Sequence, residues 1–405
     1  MTAGAPWLTI VGIGEEGMAS LSAAARRAVE QAEVIIGGDR HHSLAPGVSA
    51  TRLSWPSPFD AMIETIRSYK GRRIVILVTG DPLWYSVGAR ILRAVPGEEI
   101  AFHPQLSAFQ WTACAMRWSL ADVETLTAHG RPAAQVVPWI WPGARLLILT
   151  AGAGTPGEIA RLLAARGYGP SRLTVLANLG GPHAQRLEAS AADWAAADPA
   201  AAMPPFHTLA VQCEGTPGLL LSRLPGLPDE AFAHDGVMTK REVRAVTLAR
   251  LMPARGAVLW DIGTGCGSVA VEWMRAAPEA LAIGLDPNPA RLALARQNAE
   301  TLGTPRLRLI EGRAPQALAD LPRPDAVFIG GGLSRETVAA ALAMLPTGGR
   351  LAANAVTLQS EALLAALLAE HGGELTRLAI ERAAPVGSRT GWRPLMPVVQ
   401  WSLVR

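Results

Sequence analysis

A two-module α/β fold is what this sequence predicts, and three observations predict it. Short Val/Ile/Leu-rich runs alternate with alanine-rich helical patterns along most of the chain, the signature of parallel strands covered by helices. Two of these runs lead directly into glycine-rich turns that open helices, at residues 12–17 and 263–267. A Pro/Gly-rich stretch over 214–229 separates two such α/β series, and 405 residues suffice for two or three domains.

In the first module, residues 8–13, 34–36, 73–79 and 100–103 read as strands, and 18–31, 60–69 and 87–94 as helices. A second lobe follows, with helix 107–117, a short extended piece at 135–137, strand 146–149, helix 156–166, and closing strands 173–176 and 208–213. Residues 1–215 therefore form one module of two α/β lobes, about 1–104 and 105–215, and 216–228 form the linker. The second module spans 229–405. Its helix 240–251 opens behind Thr239 as a cap, and strands are expected at 257–260, 281–285, 307–310, 326–329 and 350–354. A pattern over 379–404, interrupted by Pro385 and Gly391, predicts a hairpin that ends the sheet.

Composition narrows the partners. The formal net charge is +3, and of 37 basic residues only Lys70 and Lys240 are lysines. No basic block marks a nucleic-acid tract, so no nucleic-acid partner is expected. Arginine forks bind carboxylates through paired hydrogen bonds, which suits an acidic ligand. Cys114, Cys213 and Cys266 are too scattered for a disulfide framework or a metal site, and no metal is expected. His41 and His42 read as surface loop. Residues 1–7 lack the charged start and apolar core of a leader, and no apolar run reaches the ~18 residues that span a bilayer. The expectation is a soluble, cytoplasmic protein with no membrane partner.

Asp261, Gly263, Gly265 and Gly267 form the pattern Asp-x-Gly-x-Gly-x-Gly between a strand and a helix. Glycines there let a ligand approach the backbone, and Asp286, at the tip of the next strand, is placed to bind both hydroxyls of a ribose. A nicotinamide-binding turn has Gly-x-Gly-x-x-Gly instead and needs no preceding acid. Asp261 can accept hydrogen bonds from turn amides or, through water, from a ligand ammonium. The pattern resembles the S-adenosylmethionine site of class I methyltransferases, which have a Rossmann-like fold. Residues 229–232, 236–244, 311–315 and 328–332 narrow the resemblance to the cobalamin-pathway enzymes that methylate and decarboxylate precorrin-6B, over essentially 228–405. It implies that Thr239, Gly263, Thr264, Gly265, Cys266, Gly267, Asp286 and Ala314 line the cofactor, with Cys266 contributing an amide and no thiol chemistry.

The N-terminal turn leaves more open. Gly12, Gly14 and Gly17 match Gly-x-Gly-x-x-Gly after a strand, with Asp39 further on, and by pattern alone this is a dinucleotide fingerprint. Glu15 and Glu16 would crowd a pyrophosphate at the helix N-terminus, and Asp39 lies past the strand end. Residues 11–14, 78–85, 104–109 and 127–131 together resemble the tetrapyrrole methylase (class III methyltransferase) family, over 7–213. The resemblance implies a glycine loop facing the tetrapyrrole, with Thr79, Gly80, Asp81, Ser107 and Ala108 contacting S-adenosylmethionine between the lobes. The sequence departs from that family at Glu15-Glu16, where Pro-Gly is frequent, and at Gln105, where Gly is frequent. Asp81 also reads as a turn cap before Pro82, His129 as a hydrogen-bonded loop residue, and Arg131 as either a carboxylate clamp or a solvated side chain.

A tetrapyrrole methylase joined to a class I precorrin methylase implies S-adenosyl-L-methionine at two sites per chain and a precorrin substrate. Methylation would fall on carbons 5 and 15, with the ring C acetate lost as carbon dioxide, giving precorrin-8. Methyl transfer to a meso carbon needs alignment more than acid or base groups. The macrocycle brings its own enamine nucleophile and electron sink, consistent with the lack of a nucleophile triad in the sequence. Lys240 and Asn354 are the catalytic candidates, and Arg241, Arg244, Arg313 and Arg389 the candidates for binding substrate carboxylates. The C-terminal module is expected to act on carbon 15 and decarboxylate, the N-terminal module on carbon 5. The resemblance further implies a homo-oligomer through the C-terminal domain, with a tetramer among the options. Two other readings compete: an NAD(P) oxidoreductase with an appended methylase, and a tetrapyrrole carrier without activity.

Overall fold

Apolar runs buried on both faces organise the first half of the chain. The computed structural model describes residues 6–405 apart from Asp198; residues 1–5, part of the stretch read above for a leader, lie outside the described residues. The chain divides into two compact units, one running to Ala133 and resuming over Ile140–Gly218, the other comprising Ala134–Trp139 and Leu219–Arg405.

The first unit opens with five parallel strands: β1 (Leu8–Ile13), β2 (Val34–Ile36), β3 (Thr51–Leu53), β4 (Ile74–Thr79) and β5 (Ile100–His103), in the order β3-β2-β4-β1-β5. Ile74, Ile76 and Val78 of β4 pack on one face of this sheet and Val75 and Leu77 on the other, so the strand reads as an unbroken apolar run. The helix expected over 18–31 forms only from Ala23 to Glu30, where the Ser22 hydroxyl accepts the Ala25 amide. Before it, Gly17–Ser20 is a 3-10 turn and Leu21 is extended and buried.

A second sheet contains β6 (Glu124–Thr127), β7 (Arg145–Leu149), β8 (Arg172–Ala177), β9 (Gln185–Ser190) and β10 (His207–Gln212), ordered β6-β7-β10-β8-β9. Only β6 and β7 run parallel; the remaining pairs are antiparallel. Residues 135–137 are not extended as expected. They belong to the 3-10 segment Ala133–Trp139, and the Arg223 guanidinium lies 3.6 Å over the Trp139 ring within the second unit.

The second unit holds β11 (Val258–Ile262), β12 (Leu281–Asp286), β13 (Arg308–Glu311), β14 (Ala326–Ile329), β15 (Arg350–Ala355), β16 (Glu374–Leu378), β17 (Glu381–Val386), β18 (Arg389–Pro394) and β19 (Val398–Val404). Its seven-stranded sheet runs β13-β12-β11-β14-β15-β19-β16, with the first five strands parallel and β19 antiparallel to both neighbours. The pattern over 379–404 thus splits. Buried Val398, Val399 and Trp401 draw β19 into the sheet, while the largely exposed β17 and β18 pair only with each other. Leu221 and Leu227, from the stretch between the modules, pack with Phe232, Val271 and Leu302 of this unit. Among the described residues no helix is long and apolar enough to cross a membrane.

Both units carry their glycine-rich turns at the carboxyl ends of neighbouring parallel strands, where α/β sheets bind ligands. In the first, a Cβ on Gly12 would overlap the carbonyl oxygen of Gly80, and one on Gly80 would lie 2.8 Å from the Ser107 Cα. Gly14, by contrast, has open space at the Cβ position. Gly12→Ala is expected to lose about 3 kcal/mol of stability through this backbone overlap, and Gly14→Ala to change it by less than about 0.5 kcal/mol. Chemical denaturation of the two variants separates these outcomes.

Candidate functional site

The turn after β11 is shaped by its three glycines. Gly263, Gly265 and Gly267 have φ of +73°, +55° and +79°, which L side chains rarely adopt. A Cβ on Gly263 would sit 2.5 Å from the Gly331 backbone, so the turns after β11 and β14 touch with no side chain between them. Around them opens a cleft of about 670 Å³. Thr239, Gly263, Thr264, Gly265, Asp286 and Ala314 all line it, as do Lys240 and Asn354. At Gly265 an added Cβ would meet only the Val237 carbonyl, at 3.8 Å, so the turn presents bare backbone to the space. The Gly265 amide donates to Asp286 Oδ2 at 3.0 Å and the Asn288 amide to Oδ1 at 2.9 Å, which fixes the Asp286 carboxylate at the strand tip. Bare backbone beside a fixed, buried carboxylate is a donor set that fits a nucleoside with a free ribose.

Two of the expected residues lie behind the cleft wall. Cys266 and Gly267 do not line the cleft. Gly267 turns against the helix Pro289–Thr301, where its Cβ would lie 3.0 Å from that of Ala295. Cys266 is buried, its carbonyl accepts from Asn298 Nδ2 at 2.8 Å, and burial raises its thiol pKa. Both residues brace the turn from behind.

Asp261 does the same from below. Its Oδ2 accepts the Thr264 hydroxyl at 2.8 Å and the Ala270 amide at 3.1 Å, tying the turn to the following helix, while Oδ1 is buried without a partner. Burial, with a smaller push from the Asp286 carboxylate, raises its pKa to about 6.

The segment before the helix Arg241–Leu251 forms another wall, with Val237 and Met238 facing the space beside Thr239 and Lys240. Thr239 is not the helix cap; Lys240 holds that position, and Asp229 Oδ1 accepts the Arg241 amide at 2.9 Å. The anchor is Arg244, expected among the substrate arginines but fully buried. Its Nε donates to Glu272 at 2.6 Å, and its terminal nitrogens donate to Asp229, the Thr239 carbonyl and the Leu227 carbonyl. Glu272 also accepts the Gly226 and Leu227 amides. Arg382 of β17 adds bonds to Asp229 and Glu242. Removing one partner from such a buried network typically destabilises by about 3–5 kcal/mol. Of the four predicted arginines only Arg313 lines the cleft; Arg241 and Arg389 are exposed and outside it. Arg291, unpredicted, does line it, held by Asp235 at 2.8 Å.

Lys240 Nζ has only a long 3.4 Å bond to the Gly236 carbonyl. Asn354 is more constrained: its Nδ2 donates to Thr247 Oγ1 at 3.2 Å and its Oδ1 accepts from Gln400 Nε2 at 2.8 Å. One Asn354 N–H remains for a ligand.

In the first unit, Thr79, Gly80 and Ala108 line a small cavity of about 40 Å³ with Gly14, Glu15 and Arg40. Asp81 and Ser107 do not line it. Asp81 Oδ1 closes its own turn by accepting the Leu83 amide at 2.7 Å, and Ser107 is buried at the start of the helix Ala108–Met116. No pyrophosphate cradle forms at the glycine loop, since Gly12 is occupied by the Gly80 contact and the Glu15 carboxylate stands at the cavity, paired with Arg40. His41 and His42 lie in a short helix, Asp39–Leu44, and not in a surface loop. The His41 ring reaches Thr79 Oγ1 at 3.0 Å. Arg40 and His41 went unrecognised, although Gly37-Gly38 directly after β2 marks a turn at the working edge of the sheet. His129 is exposed, and the Arg131 guanidinium lies 5.9 Å from the Tyr85 ring.

Comparison with known proteins gives two family matches, one in each half of the chain. Residues 230–405 match the family model of the precorrin methyltransferase domain, and residues 7–195 that of the tetrapyrrole (corrin/porphyrin) methylases. The chain is 43% identical over 400 residues to a precorrin-6Y C(5,15)-methyltransferase (decarboxylating) of a Sinorhizobium species, covering 98% of this chain and 96% of that one. Two shorter relatives match parts of it. A cobalt-precorrin-6B C(15)-methyltransferase (decarboxylating) of Pyrobaculum calidifontis, named as probable, is 39% identical over 43% of this chain and 93% of its own length. A cobalt-precorrin-7 C(5)-methyltransferase of Salmonella typhimurium is 29% identical over 42% of this chain and 85% of its own length.

The Asp261 geometry carries a pH dependence. A carboxyl raised from 3.8 to about 6 favours the folded state fully below the lower value, and that contribution is lost as pH rises through about 6. Without ligand, the melting temperature should therefore fall between about pH 4 and pH 7, and Asp261→Asn should flatten that fall. An unchanged slope in the variant assigns the titration elsewhere.

Proposed function

Because the chain belongs to the family of precorrin-6Y C(5,15)-methyltransferases (decarboxylating), we propose that each of its modules holds one S-adenosyl-L-methionine and that both act on one precorrin. The chain is a methyltransferase of cobalamin biosynthesis that uses S-adenosyl-L-methionine, methylates its precorrin substrate at carbons 5 and 15 and decarboxylates it. The observation that carries the reading is the second-unit cleft, where the bare Gly265 backbone and the fixed Asp286 carboxylate meet.

The C-terminal module, from residue 229, methylates carbon 15 and removes the ring C acetate as carbon dioxide; the N-terminal module, to residue 215, methylates carbon 5; 216–228 join them. Half-length relatives named for each separate activity support this division. When bound, S-adenosyl-L-methionine supplies an electrophilic methyl group. In the second unit, Asp286 holds the ribose, Gly263, Thr264 and Gly265 admit the cofactor against the backbone, and Thr239 and Ala314 close its sides. Lys240 and Arg313, at the cleft and free to extend, pair substrate carboxylates. Asn354, locked by Thr247 and Gln400, directs its remaining N–H at the macrocycle. In the first unit, Thr79, Gly80 and Ala108 form the cofactor-side wall, with Asp81 and Ser107 shaping the turns behind it. The reaction then depends on alignment, since the macrocycle provides both the attacking carbon and the sink for the electrons released with carbon dioxide.

Assembly through the C-terminal unit, with a tetramer as the state to test, is part of the proposal. Its support is the β17–β18 hairpin, which stands outside the sheet and exposes Val386 and Trp392.

Two measurements check these statements. Calorimetry with S-adenosylhomocysteine should give two equivalents per chain, and Asp286→Ala should lose one of them together with carbon dioxide release, any remaining methyl mapping to carbon 5. A single equivalent in the unaltered chain would falsify the two-site reading. Sedimentation should show an oligomer that Trp392→Asp shifts toward monomer; a monomeric unaltered chain refutes the assembly.

A further inference from the structure

Thr79, at the end of β4, is surrounded in an unusual way. Arg40 donates an N–H to its Oγ1 at 3.1 Å. His41 Nε2 lies 3.0 Å from the same oxygen. Which of the two donates on the histidine side is settled by the other ring nitrogen. The Gly38 amide donates to His41 Nδ1 at 3.2 Å, so Nδ1 carries no proton and Nε2 does. Burial, aided by the charge of Arg40 and by His42, lowers the His41 pKa to about 4, which keeps the ring neutral with that single proton. The Thr79 oxygen therefore accepts twice. A hydroxyl has two lone pairs and one proton, so its remaining direction carries the O–H. Thr79 lines the cavity with Gly14, Gly80 and Ala108, whereas His41 does not.

We propose that Arg40 and His41 are positioning residues that make Thr79 an obligate hydrogen-bond donor toward an acceptor oxygen of the S-adenosyl-L-methionine in the first unit. This rests on the reading that a second cofactor site exists there. An ordinary threonine hydroxyl rotates between donor and acceptor roles; this one is held to a single role before the ligand arrives, so no reorientation is needed on binding. Arg40 is fixed for the task as well. Its other terminal nitrogen pairs with Glu15, and its guanidinium lies 4.0 Å over the Phe206 ring. Glu15, where the sequence departs from its family, thus has a use: it neutralises the arginine so that its direction toward Thr79, and not its charge, is what the cavity receives. His41 acts from behind, through Thr79 alone.

The test uses the full-length chain carrying Asp286→Ala, so that calorimetry with S-adenosylhomocysteine reads the first-unit site alone. Thr79→Val, which removes the donor at nearly constant shape, should weaken binding about tenfold. His41→Phe should weaken it by a similar factor, and His41→Gln, which keeps an N–H near the Nε2 position, should restore most of it. In a Thr79→Val background, His41→Phe should have no further effect. Equal losses in both backgrounds, or failure of Gln to restore binding when melting temperatures show the variants folded, overturn the inference while leaving the second site standing. Absence of any equivalent in the Asp286→Ala parent overturns the two-site reading and the inference with it.

Discussion

Two backbone contacts set the geometry on which everything else in this protein depends. Gly12 meets the Gly80 carbonyl, and Gly263 meets Gly331. In each case the partners sit at the carboxyl ends of neighbouring parallel strands, Gly12 near the end of β1 with Gly80 just past β4, and Gly263 and Gly331 just past β11 and β14. A Cβ at Gly12, Gly80 or Gly263 would overlap neighbouring backbone and remove the close approach that lets the turns face a ligand. The two units have different strand orders, yet both place their turns by the same steric device.

The side chains around those turns serve mainly to hold them. Asp261 ties the second-unit turn to its helix, Asn298 secures the Cys266 carbonyl, and the Arg244 network fixes the segment that carries Thr239 and Lys240. Burying Arg244 is tolerable because Glu272 and Asp229 supply opposite charge and two carbonyls take two more of its five N–H groups. Such an investment in fixed geometry suits a methyl transfer, where alignment of donor and acceptor matters more than proton movement. The residues left extended at the cleft, Lys240 and Arg313, are those with few internal bonds, and they suit a polycarboxylate whose groups must be met wherever they fall.

Much of this was legible from residue order. Strand runs buried on both faces, such as β4, announce themselves as continuous apolar segments, and the alternating glycines after Asp261 mark a ligand turn with its partner acid at Asp286. What misled was local pattern without neighbours. Arg244 looks like any arginine on a helix, because its carboxylate partners lie 15 and 28 residues away in sequence. Residues 135–137 are apolar enough for a strand but have no strand to pair with. The His41-His42 pair reads as loop because β2, a three-residue strand, gives no hint that it lies against β4.

The sequence by itself determined the two-module α/β organisation, the class of cofactor and the family, since these depend on short-range spacing: glycines that relieve a turn, an acid one strand later, apolar runs of strand length. Only the tertiary structure decided which of those residues face the clefts. Cys266 and Gly267 turn toward a helix, Arg244 into the core, and Arg40 and His41 toward Thr79 from a neighbouring strand's turn. Direction is a property of packing: a side chain points where its nearest elements leave room and partners, and those elements are brought together by sheet order, which local spacing does not encode.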